Sequence, residues 1–133
     1  MTKKRERNSF LTPLVLEEMP SGKQWRLHYS FIYVWHRRGI VLHIRAGLVT
    51  DLASIPRLAR LFITKLGLYN KAAVVHDAIY QNRYGETKLT RADADLCFYD
   101  AMTDKGVVKW KRTVLYYSVR MFGWLSWYNV GRG

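Results

Sequence analysis

Cysteine occurs once, at Cys97, which excludes an intramolecular disulfide. The chain must therefore hold its fold by packing and hydrogen bonding, and a reducing compartment is the expected setting. Acidic residues are also scarce, ten against 22 Lys and Arg, for a formal net charge of +12. Six of the ten lie between Asp77 and Asp104, and none follows Asp104, so the chain from Lys105 onward is purely basic. A surface of that balance favours anionic partners, whether phosphate backbones, lipid headgroups or acidic proteins. Long apolar runs are missing too. The longest, "VLYYSVRMFGWLSWYNV" at 114–130, contains Arg120 and falls short of the roughly 20 residues that a spanning helix needs, so no transmembrane span is expected. The opening "MTKKRERNSF" lacks the apolar core of a signal peptide and reads as a basic flexible arm over residues 1–9, ahead of one domain over 10–133.

What is present argues for a packed core. With 49% hydrophobic and 14% aromatic residues, the chain is neither disordered nor repetitive. From Leu14 to Ala46 the pattern is that of strands: "QWRLHYSFIYVW" at 24–35 is aromatic and β-branched, and "GIVLHIRAG" at 39–47 follows a polar "HRRG" turn. A three-stranded antiparallel meander is the expectation. Pro56 then ends regular pairing, and Asp51 and Ser54 stand where they could cap a helix. From Asn70 the period turns helical, with Asn70 as the expected cap of a helix running to about Gln81. Thr90 with Asp93 forms a capping signature for a second helix to about Thr103. A third helix is expected from Val107 to about Tyr128, with Trp110, Val114, Tyr117, Met121, Leu125 and Tyr128 as its core-facing stripe and Gly123 as a weak point. The fold class is α+β: a small antiparallel sheet, then three helices.

"KAAVVHDAIY" at 71–80 sets His76 and Asp77 in the middle of an apolar run. Buried titratable groups are costly unless paired, so apolar packing alone does not account for them. On an antiparallel helix pair, His76 would meet Asp95, whose carboxylate would fix the tautomer of the imidazole and stabilise its cation, as a general base requires. Asp77 points about 100° away on the helix. It is available for a hard cation, with a further oxygen donor from the Asp51 loop. Asp93, Asp100 and Asp104 fall on another side of the second helix and are expected to be solvated.

"HDAIY", followed nineteen residues after the histidine by "DLCFYDAM", resembles the secreted phospholipase A₂ pattern, in particular its shorter bacterial and fungal branch. The resemblance spans roughly residues 71–102. It implies His76 as general base, Asp95 as its partner and Tyr80 as a support for the pair. It also implies Asp77 as a calcium ligand, with Asp51 and the carbonyl of Leu52 completing the contacts. The glycine-rich calcium loop and the disulfides of the animal enzymes have no counterpart here. Over most of residues 10–125, "GLVTDLASIPR", "KAAVVHDAIY", "RADADLCFYDAM" and "VRMFGW" are similar to a phage and prophage family catalogued as domain of unknown function 1353. That likeness implies a viral origin and a place in the host cytoplasm during infection, or in the virion.

Lys109, Trp110, Lys111, Arg112, Arg120, Trp124 and Trp127 interleave cations with aromatic rings toward the C-terminus. Such a pattern suits a membrane interface or, without sequence preference, nucleic acid. Its blander account is aromatic packing on the sheet with the cations in water. Two functions compete: a calcium-assisted, phospholipase A₂-like ester hydrolase acting at an anionic membrane, and a non-catalytic virion or assembly protein that contacts acidic virion proteins.

Overall fold

The computed structural model describes residues 8–22, 24–50, 66–82 and 89–123. Within these, β1 (Leu16–Glu18), β2 (Trp25–Leu27), β3 (Phe31–Trp35), β4 (Ile40–Ile44) and β5 (Val49–Thr50) precede α1 (Leu66–Asn82), α2 (Arg91–Lys105) and α3 (Lys109–Phe122). The class is α+β, with a small antiparallel sheet and three helices after it.

The strands form two sheets. One is three-stranded and antiparallel in the order β1-β2-β5; the other is the β3-β4 hairpin. The strand-like stretch 24–35 is divided into two strands at His28–Ser30. Strand alternation gives the reason: Phe31, Tyr33 and Trp35 all turn into the core, whereas Tyr29, which would continue that row, is exposed. Leu27 instead bonds the residues just before β5, donating to the Leu48 carbonyl and accepting from the Gly47 N–H. The "HRRG" turn closes the β3-β4 hairpin as its composition predicts, in the register Trp35↔Ile40 through Phe31↔Ile44.

Helix α1 is described from Leu66 onward, so Asn70 lies within it and not at its cap. A cap works only where the chain before it leaves the helix, and residues 66–69 are already helical. From Ala72 to Tyr80 every residue is buried. That makes α1 the central helix, enclosed on all sides over this span, with His76 and Asp77 set among apolar residues. Thr90 caps α2 through a reciprocal box with Asp93, and Gly106, at φ 87°, ends it in the left-handed conformation that glycine adopts without strain.

Contacts between α1 and α2 run antiparallel: His76 meets Phe98 and Asp95, while Tyr80, further along α1, meets Asp95 and Arg91. Val74, Val75, Ile79, Phe98 and Met102 join Phe31, Tyr33, Trp35, Leu42 and Ile44 in one core. Each large side chain fully buried there contributes about 1.5–3 kcal/mol.

Two expectations about the helices are overturned. Asp93, Asp100 and Asp104 are not solvated but tie α2 to the hairpin. Tyr33 Oη donates to Asp104 at 2.8 Å, Trp35 Nε1 to Asp100 at 2.8 Å, and Arg38 to Asp93 at 2.8 Å. The α3 stripe is turned the other way: Leu115 and Val119 face the core, while Trp110, Tyr117 and Met121 are exposed. α3 packs on α2 rather than on the sheet, and both α1 and α2 touch the hairpin. Trp124, Trp127 and the rest of the expected third helix beyond Gly123 lie outside the described residues.

Candidate functional site

The site is built where the three helices meet. His76 and Tyr80 stand one turn apart on α1, and Asp95 lies opposite them in the second turn of α2. His76 Nε2 is 2.8 Å from Asp95 Oδ1, and the Tyr80 hydroxyl donates to that same oxygen at 2.7 Å. Asp95 is fully buried and His76 nearly so. The imidazole is held in plane by two rings, Tyr80 at 4.2 Å and Phe98 at 4.8 Å between centroids. The structure therefore brings together His76, Asp95 and Tyr80.

The second carboxylate oxygen of Asp95 meets two guanidinium groups. Arg120 Nη1, reaching in from α3, donates to Oδ2 at 3.0 Å, and Arg91 Nη1 lies 3.5 Å from it. Arg91 also donates to the carbonyls of Val119 and Arg120, both at 3.1 Å, and so binds the last turn of α3 to the start of α2. Sequence reasoning gave Arg120 to a basic surface and missed Arg91. Nothing local distinguishes a surface arginine from one whose long side chain reaches back to a buried acid.

A carboxylate accepts hydrogen bonds and cannot donate them, so the contact with Asp95 puts the imidazole proton on Nε2 and leaves Nδ1 as the basic nitrogen. Nδ1 is 3.9 Å from Asp77 Oδ1. That is too long for a direct hydrogen bond and is a separation at which a water molecule can bridge. Burial opposes the charged imidazolium, but the carboxylates of Asp77 and Asp95 outweigh it, and the His76 pKa stands above its ordinary value. The Tyr80 hydroxyl is pushed up as well, first by burial and then by the Asp95 charge, so it remains a donor.

Asp77 is buried against the end of β5, where the Thr50 hydroxyl donates to its Oδ2. Asp51 and Leu52, the other candidate cation contacts, lie outside the described residues. Among the described residues no group of three or more His, Cys, Asp or Glu side chains could hold a metal ion. Calcium takes six to eight oxygen ligands. Asp77 alone does not make that shell.

One further residue belongs to the site. Gly123 ends α3 directly over Tyr80: a Cβ at this position would lie 2.6 Å from the tyrosine oxygen. Its value is close approach rather than flexibility, and nothing in the sequence marks it. Cys97 is buried on α2 with its thiol pKa raised by that burial, which suits a small core residue. Of the remaining surface candidates, Arg112 lies over the Tyr99 ring at 5.3 Å and donates to the Val107 carbonyl at 2.9 Å. Lys109 and Trp110 are exposed, and Lys111 is half-buried beside Trp110.

No curated protein and no solved structure matches the chain. A family model matches residues 25–119, from β2 to near the end of α3, a span that contains His76, Asp77, Tyr80, Arg91 and Asp95. The chain belongs to the family described as protein of unknown function (DUF1353).

Proposed function

We propose that the protein is an ester hydrolase of phospholipase A₂ type with His76 as its general base. The observation that carries this reading is the shared oxygen of Asp95: His76 Nε2 at 2.8 Å and Tyr80 Oη at 2.7 Å, with Nδ1 left toward Asp77. A histidine used only for packing needs its N–H satisfied, but not a second nitrogen held toward Asp77. A base needs the tautomer fixed, the ring clamped and the opposite nitrogen directed at a proton.

In this reading Nδ1 takes a proton from a water as its oxygen attacks an acyl carbonyl. Asp95 stabilises the imidazolium that results. As the tetrahedral species collapses, the acyl–oxygen bond breaks and the proton passes from Nδ1 to the leaving alkoxide. Were a calcium ion bound, Asp77 would hold it, and the ion would supply polarisation of the acyl carbonyl. A phage origin and an anionic substrate surface fit the basic charge of the chain.

The test is fatty-acid release from phospholipid by the purified protein, with calcium and with chelator. Release is expected with calcium, and its loss in His76→Gln while the circular dichroism spectrum is unchanged. No release from any phospholipid class by the folded protein, with calcium present, would overturn the reading.

Burial favours a second reading. Asp95 is sealed by Arg120 from α3, and His76 exposes only 4% of its surface. A network so enclosed can serve as a packing device in a virion or assembly protein. That reading predicts incorporation into particles and full function of His76→Gln, and the absence of the protein from purified particles would count against it.

A further inference from the structure

Strand β3 has a neighbour on each side. One is β4; the other is the chain at 10–12, where Phe10 bridges to Tyr33, the Leu11 N–H donates to the Ile32 carbonyl at 3.1 Å, and the Ile32 N–H donates to the Thr12 hydroxyl oxygen at 3.0 Å. β4 pairs with β3 alone among the described residues. The bonds of Ile32 fix which backbone groups of β4 are open. Ile32 turns both its N–H and its C=O away from β4, so Ile32↔His43 is a non-hydrogen-bonded pair, and by the alternation of an antiparallel ladder Val34↔Val41 is another. The N–H and C=O of Val41 and His43 therefore point away from β3, with no hydrogen-bond partner among the described residues. Both side chains are exposed on the outer face, Val41 by 62%, whereas Leu42 and Ile44 turn to the core.

The edges of the other sheet are guarded, and this one is not. β1 is three residues long, two of them glutamates, and lies between Pro13 and Pro20, while β5 has only two residues. Shortness, charge and proline are the means by which folds keep strand edges from pairing. β4 has five residues, "IVLHI", with no proline and no Lys, Arg, Asp or Glu.

The occupant that fits such an edge is the same strand of a second copy. About a two-fold axis through Leu42 and perpendicular to the sheet, Val41 of each chain stands opposite His43 of the other, and their open N–H and C=O groups close four hydrogen bonds. Outward residues meet outward residues, so the core face of the sheet continues across the join. Charge fits as well. Two chains of net charge +12 repel, and a join between them must keep cations apart. In this register exposed Arg45 lies opposite Gly39, and Arg38 is already neutralised by Asp93 at 2.8 Å.

We infer that the protein self-associates as a two-fold dimer through antiparallel β4–β4 pairing, which joins two hairpins into one sheet. The inference goes beyond the hydrolase reading and uses none of its residues.

The experiment is sedimentation equilibrium of the full chain across a concentration series, at low and high salt. Wild type is expected to pass from the mass of one chain to that of two, more readily at high salt, because screening weakens the repulsion between the chains. Two variants act on the edge. His43→Pro removes an N–H that β3 does not use, and by symmetry two of the four bonds. Val41→Lys keeps the backbone and sets a cation in each half of the join. Each is expected to raise the dimer dissociation constant at least about tenfold. Val41 is exposed, so Val41→Lys is expected to keep the circular dichroism spectrum of the wild type. His76→Gln and Tyr117→Ser are expected to dimerise as the wild type does, which separates this inference from the hydrolase reading and from a contact through α3. A wild type with the mass of one chain at every concentration would overturn it. So would a dimer indifferent to Val41→Lys, a dimer lost in Tyr117→Ser, or one that salt dissociates.

Discussion

The two sides of α2 treat their carboxylates differently. On the hairpin side, Asp93, Asp100 and Asp104 are met by Arg38, by Trp35 with Arg37, and by Tyr33. These donors keep their protons throughout the working pH range: two guanidiniums, an indole, and a phenol whose pKa burial pushes up. On the other side Asp95 is met by Tyr80, Arg91 and Arg120, and also by His76, whose proton can leave. One side is a clasp between helix and sheet. The other holds an ionisable pair at the centre of the molecule, with the second imidazole nitrogen given no hydrogen bond among the described residues. Structural acids are matched with donors that do not titrate, and the candidate functional acid with one that does.

Removing Asp95 breaks the comparison most severely. Asp95→Ala leaves two guanidiniums, an imidazole and a phenol without their buried acceptor, and a loss of about 3–5 kcal/mol is expected in urea unfolding. Asp104→Ala on the clasp side deprives the buried Tyr33 hydroxyl of its acceptor, and is expected to cost about 1–3 kcal/mol. Its effect on ester hydrolysis should be no more than its effect on the folded fraction. Gly123→Ala drives a methyl group against the Val119 carbonyl oxygen, 2.5 Å away, and the Tyr80 oxygen, 2.6 Å away, and is expected to cost about 1–3 kcal/mol. Tyr80→Phe in the same chain should recover the share due to the tyrosine oxygen, whereas additive losses would assign the whole clash to the Val119 carbonyl. Arg37→Ala is the smallest change. The arginine is half exposed, its bonds to Asp100 are solvent-screened, and about 0–1 kcal/mol is expected.

The same contrast fixes the sign of the pH dependence. The raised His76 pKa means that the folded state holds this proton more tightly than the unfolded chain. That contribution to stability is fully present below the ordinary histidine value of about 6.5 and is lost as pH rises through the folded pKa. His76→Gln should remove this slope from a plot of unfolding free energy against pH, and Asp104→Asn should leave it in place.

How much of this was legible in the sequence depends on reach. His76, Tyr80 and Asp95 could be read because helical spacing and an antiparallel pair suffice to place them together. The Thr90–Asp93 box could be read because a cap is local. Asp100 and Asp104 could be assigned to a common side of α2, but not to a side covered by β3, because periodicity says which residues share a face and not what lies against it. The outward row on α3 failed for the same reason: with apolar residues on two faces, the pattern alone does not say which turns inward. Thr50, Arg91, Arg120 and Gly123 act across distances in sequence that no local pattern encodes, and Asn70 misled because a capping residue is informative only where a helix actually starts.

If the Asp95-bound imidazole works as a base through Nδ1, the pH profile of ester hydrolysis separates wild type from His76→Gln at matched folded fractions. Wild-type hydrolysis should climb as pH rises beyond the ordinary histidine range, with its midpoint displaced upward as the raised pKa requires, while His76→Gln stays at the uncatalysed rate throughout. A folded wild type that gives the same profile as His76→Gln would contradict the account and leave the dyad as a packing device.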